Sequence, residues 1–257
     1  MSSTRMPATG GHSEACCNTP PVVEKGYMQE GWWETIDGLR TYVTGPKDCT
    51  KGIIFITDVF GFFDQTKQGG DILGHLGRTK HLVFMPDWFD GNPMPVDWFP
   101  PTDPEKQKNL AGFFAKHTPQ DVAARIPQYV KACEAKHPNV KSWAIHGLCW
   151  GAKVVSLLTG RDDNIFKVAS ECHPALLEPE DAKHIKIPII VLASNYEDPL
   201  AVKQFEANLK VPKHVEIFAD MVHGWMGARA EFDGGRKEAE YRRGYGLVLE
   251  FFEKHWE

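Results

Sequence analysis

The residues with the clearest chemical potential lie in Gly147-Leu148-Cys149-Trp150-Gly151. An apolar run, Trp143-Ala144-Ile145, leads into this G-x-C-x-G turn, and a helical stretch follows from Ala152. A nucleophile on a sharp strand-to-helix turn needs small neighbours, because the strained backbone brings the flanking residues close to other chain segments. The cysteine side chain is thereby raised above the sheet. At the start of the following helix, unpaired N–H groups and the helix dipole favour the thiolate, which is the form that attacks carbonyl carbon. Such a thiol needs a base and an acid, each on a loop after a later strand. The run 187–193 reads as a buried parallel strand and empties into Asn195-Tyr196-Glu197-Asp198-Pro199, where Asp198 is the expected acid. The strand at 214–218 leads to Met221-Val222-His223-Gly224-Trp225, and His223 is the expected base.

The elements that must position these groups follow from the alternation of patterns along the chain. Residues 32–37 and 39–44, joined at Asp37-Gly38, read as an antiparallel hairpin. Strands are expected at 52–56, 82–85, 142–145, 167–170, 189–193 and 215–218. Helices are expected at 121–136 and 152–158, with a closing helix at 238–254. Strand and helix in alternation imply right-handed crossovers and an α/β fold, a mostly parallel sheet with helices on both faces. The stretch 90–104 breaks the alternation. Its prolines, Pro93, Pro95, Pro100, Pro101 and Pro104, exclude a regular helix or central strand and suggest a fixed rim over the pocket.

On these motifs the chain resembles the dienelactone hydrolases, most of all the fungal ones, within the α/β-hydrolase superfamily. The resemblance rests on the cysteine elbow, the loop ending in Asp198-Pro199 and Val222-His223-Gly224-Trp225. It also rests on Thr57-Asp58-Val59-Phe60-Gly61 and Met85-Pro86-Asp87-Trp88-Phe89, each following a strand. It implies an α/β-hydrolase fold and hydrolysis of lactones or small carboxylic esters. Cys149 would attack, His223 would carry the proton and Asp198 would orient the imidazole. It further implies an oxyanion hole from the N–H groups of Trp150 and Val59, and a carboxylate, here Asp58, near the resting thiol. Bacterial members hold the substrate carboxylate with two arginines; the matching positions here fall near Gly91 and Gly227, with Arg229 two residues further on. An aromatic pocket is expected instead, from Phe60, Trp88, Phe89 and Trp225. Thioester cleavage on the same groups, and a non-catalytic scaffold that binds a small molecule, are the alternatives.

Composition narrows the class further. The 257 residues carry no linker, charge block or repeat that divides them, so one domain over 26–257 is expected after an irregular leader at 1–25. A formal net charge of -5, with no basic cluster, argues against nucleic acid as a partner. No apolar run is long enough to cross a membrane and residues 1–20 lack a signal-peptide core, so a cytoplasmic enzyme is expected, with its oligomeric state left open. The six cysteines form no C-x-x-C and no H-E-x-x-H occurs; neither a metal nor any other cofactor is expected. Cys172-His173 follows a strand without flanking glycines and is a weaker nucleophile pair, since adjacent residues of an extended segment point to opposite faces. By the same alternation His146 is expected to be a hydrogen-bonded histidine behind the site or in the core.

Overall fold

The computed structural model describes residues 27–99 and 101–257; the expected leader, with Cys16 and Cys17, lies outside the described residues. Eight strands form one sheet in the order β1-β2-β4-β3-β5-β6-β7-β8, with β1 at Trp32–Ile36, β2 at Leu39–Thr44, β3 at Lys51–Ile56 and β4 at Leu82–Pro86. The others are β5 at Ser142–Leu148, β6 at Phe166–Cys172, β7 at Ile189–Ala193 and β8 at Lys213–Ile217. Strands β1 and β2 pair antiparallel, β2 joins β4 antiparallel, and every pair from β4 to β8 is parallel. Strands β3 to β7 are almost wholly buried and correspondingly rich in Ile, Val, Phe and Ala, as a sheet covered on both faces requires.

One face carries α1 (Asp64–His75) and the long C-terminal helix of residues Arg236–His255, here α6. The other carries α2 (Pro104–Lys116), α3 (Pro119–Lys136) and α4 (Trp150–Thr159), and α5 (Pro199–Asn208) follows β7. The sequence reading named α3, α4 and α6 to within a turn and named none of α1, α2 or α5. Each of the last two opens on an aspartate before a proline: Asp103 accepts from Lys106 N before Pro104, and Asp198 accepts from Leu200 N before Pro199. Among its described residues the proline-rich rim has one short 3-10 turn, Val96–Trp98, and is pinned where Met94 N–H donates to Val59 O at 2.9 Å. Pro93 also packs beside Gly61, and the rings of Phe99 and Phe60 lie 5.2 Å apart, so the rim seats on the loop after β3.

Candidate active site

The elbow is built by steric necessity. Cys149 has φ 54° and ψ -113°, a left-handed backbone that a non-glycine residue adopts only under constraint. A Cβ at position 147 would lie 2.4 Å from Gly151 O, and one at 151 would lie 2.6 Å from Ile56 O. Neither site admits alanine without moving backbone, which explains both glycines. Cys149 is buried and precedes α4, whose first amide, that of Trp150, has no carbonyl to bond within the helix.

A ladder of backbone hydrogen bonds then runs along the C-terminal edge of the sheet. Cys149 N–H donates to Cys172 O at 3.0 Å, His173 N–H to Leu192 O at 2.7 Å, and Asn195 N–H to Met221 O at 2.9 Å. These bonds fix the loops after β6, β7 and β8 relative to the elbow. The loop bearing His223 folds back over it: a Cβ at Gly227 would stand 3.1 Å from Leu148 Cδ1 and 2.6 Å from Asp58 Oδ2. Gly224, at φ 94°, makes the turn that lets Arg229 pack against it and donate from Nη1 to His223 O at 3.1 Å.

The acid on the histidine is Glu197. Its Oε1 lies 2.6 Å from His223 Nδ1, with both side chains buried, and it also accepts from Ser194 Oγ at 3.1 Å. Its other oxygen accepts from Ser194 N–H. Because the carboxylate can only accept here, the proton sits on Nδ1 and Nε2 is the basic nitrogen. The expectation for Asp198 is therefore corrected: it is exposed, and its Oδ1 caps α5 through Leu200 N–H at 3.0 Å. The physical reason is the cap itself. An aspartate at the position before a helix-starting proline turns outward to the helix amides, and the residue before it takes the inward place.

Asp58 is fully buried in the loop after β3. Oδ1 accepts from Phe60 N–H at 3.0 Å and Oδ2 from Ala228 N–H at 2.9 Å, so it ties that loop to the histidine's loop. Burial pushes its carboxyl pKa upward, opposed by the two amides and by the charges of Arg229 and His223. The same cradle explains why position 227 is glycine. Val59 stands beside it, its carbonyl taken by the rim.

The four expected pocket aromatics are all buried. Trp88 is buried on the α3 side against Tyr129, 5.5 Å between rings, with Arg125 over its face. Trp225 packs on Phe218 at 4.4 Å and beneath Gly244 of α6, where a Cβ would be 2.5 Å from its ring. Trp88 packs in the core, while Trp225, also buried, lines a small cavity with Val222 and Arg229. Phe89 joins Phe113 and Trp150 in a buried aromatic cluster, and Phe60 lies between Phe99 and the Arg229 guanidinium. A cavity of about 430 Å³ opens beside α4, with Phe114, His117, Trp150, Lys153 and Leu176 in its lining.

The other histidines and cysteines sort by burial. His146 bonds Ser170 Oγ at 2.6 Å and packs on Phe55, and burial pushes its pKa down to about 3, the behaviour of a core histidine. Cys172 is buried with its thiol pKa pushed far up by desolvation, and it serves the elbow through its carbonyl. His173 was missed as a neighbour of the site: its ring lies 5.1 Å from that of His223. No group of histidines, cysteines and carboxylates among the described residues could hold a metal ion.

With this geometry the comparisons can be read. The model of the dienelactone hydrolase family matches residues 39–256. The chain belongs to that family. It is 35% identical over 250 residues to an uncharacterized AIM2 family protein of Schizosaccharomyces pombe, covering 93% of this chain and 98% of that one. It is 27% identical over 231 residues to hydrolase pyvD of Aspergillus violaceofuscus, covering 84% of this chain and 88% of the relative. Among solved structures, a putative dienelactone hydrolase from Klebsiella pneumoniae superposes with a TM-score of 0.64 at 16% identity, covering 88% and 98%. That likeness establishes the α/β-hydrolase fold, and the family establishes a hydrolase lineage with fungal relatives. No helix among the described residues is long and apolar enough to cross a membrane.

Proposed function

We propose that the protein is a hydrolase of lactones or small carboxylic esters that works through Cys149, His223 and Glu197. The observation that carries this reading is the 2.6 Å bond between buried Glu197 and His223 Nδ1, on a loop that folds over a strained cysteine elbow. In the first half-reaction Cys149 Sγ bonds to the substrate carbonyl carbon while its proton passes to His223 Nε2. Glu197 keeps the imidazole oriented and offsets its positive charge. The oxyanion takes the N–H groups of Trp150 and Val59. Collapse breaks the acyl C–O bond, His223 protonates the leaving alkoxide, and an acyl-thioester remains on Cys149. In the second half-reaction His223 takes a proton from water, whose oxygen attacks the thioester. The carboxylic acid then leaves and the proton returns to sulfur.

Asp58, close enough for its charge to be felt at His223, adds a second carboxyl to the site in the proposed cycle. The test is hydrolysis of a short activated ester and a panel of unsaturated lactones by the wild type and Cys149→Ala, with chelator present. The expected result is turnover that survives chelation and vanishes in the variant. No turnover together with no acyl adduct on Cys149 would replace this reading with that of a binding scaffold.

A further inference from the structure

Strand β6 ends between the strand of the nucleophile and the strands whose loops carry the acid and the base. Its last residue, Cys172, takes the elbow amide on its carbonyl, and Ala175 N–H returns a bond to Cys149 O at 3.0 Å. His173 lies between these two ties. Its φ of 38° is left-handed, a conformation that an imidazole-bearing residue holds only where the surroundings impose it. The side chain is fully buried, its ring meets that of His223 at 5.1 Å with 73° between planes, and neither ring nitrogen bonds to another described residue.

A buried imidazole whose nitrogens meet no donor or acceptor of a neighbouring residue costs stability that a phenyl ring of similar size would not. Packing alone therefore does not account for a histidine here. We propose that His173 is a positioning residue for His223: its edge-to-face contact holds the base's ring, and its dipole stabilises the positive charge which that ring acquires. The inference rests on the reading of His223 as the base. Since no other described residue bonds either nitrogen, one tautomer of His173 can place a lone pair toward the imidazolium, a dipole arranged in advance where charge develops. His173 itself stays neutral, because burial first and then the charges of His223 and Arg229 hold its pKa far down. The groups that bear on His223 come from every loop around it. They are Glu197 after β7, Asp58 after β3, Arg229 on its own loop and His173 after β6.

The experiment is a pH titration of the imidazole nitrogens by NMR of whole histidine-labelled protein, wild type against His173→Phe and His173→Gln. The kcat and KM for an activated ester are followed in parallel. In His173→Phe, which keeps a ring and removes both nitrogens, His223 should titrate about half to one pH unit lower. Its kcat should fall roughly tenfold, with KM changed less than about twofold. His173→Gln, which restores an acceptor, should recover part of both, and it carries the test if the phenylalanine variant does not fold. An unmoved His223 midpoint, or a rise in KM alone, would overturn the proposal. Absence of Cys149-dependent turnover in the wild type would sink the assignment of His223 as base, while the NMR midpoint would still report what His173 does to it.

Discussion

Two buried carboxylates bear on His223 or its loop, Glu197 after β7 and Asp58 after β3, and they are held in different ways. Glu197 meets a side-chain partner that can change its charge, with Ser194 filling its remaining acceptor sites. Asp58 meets only backbone amides, those of Phe60 and Ala228, on two separate loops. The kind of donor separates the roles. A carboxylate bound to an imidazole responds to proton transfer there, whereas one bound to amides of two loops holds the loops together. A third carboxylate, Glu171 on β6, marks the other end of the series, with the Ser156 hydroxyl bonded at 2.6 Å and its pKa pushed up to about 8 by burial.

The comparison would break first at Glu197. Glu197→Gln presents an amide that can orient the ring in the wrong sense, so kcat for an activated ester should fall roughly a thousandfold or more while the fold persists. Retention of near wild-type kcat would return the acid's role to another group. Asp58→Ala strands two buried amides, and urea unfolding should show a loss of about 1–3 kcal/mol for each. If stability holds but activity collapses, the tie between loops is not what Asp58 is for.

Glu171 sharpens the contrast through pH. Its folded pKa of about 8 lies above its ordinary value of 4.5, so it favours the folded state fully below the lower value. That contribution is lost as pH rises toward the upper one. Urea midpoints of Glu171→Gln should therefore fall less steeply than those of the wild type between the two, and parallel curves would refute the assignment. The smallest effect belongs to Asp198. Asp198→Ala should cost about 1 kcal/mol through the lost cap of α5, with kcat/KM within about twofold. A large kinetic effect there would reverse the ranking of Glu197 and Asp198.

The same pair shows how far the site could be read from sequence. Asp198-Pro199 carried two signals, the end of a motif in a family and the start of a helix, and only the second describes what Asp198 contacts. Helix capping is local chemistry, legible in the dipeptide. Which neighbour turns inward depends on where β7 releases the chain relative to His223. The aromatic residues teach a related lesson: Trp88 and Trp225 stand at strand ends, yet their rings run down into core on opposite faces of the sheet. His173 went unrecognised because its importance lies in a ring contact across 50 positions of chain.

By itself the sequence determined the elements whose reasons are local. The glycine-flanked elbow at Cys149 follows from steric limits on one turn, the parallel strands from runs of apolar residues, and the place of His223 from its position after the last strand. Only the tertiary structure decided which carboxylate meets the imidazole, that Asp58 bridges two loops, and that a second histidine lies against the first. Those outcomes are set by contacts between loops far apart in sequence, where a displacement of one residue exchanges a buried partner for an exposed cap.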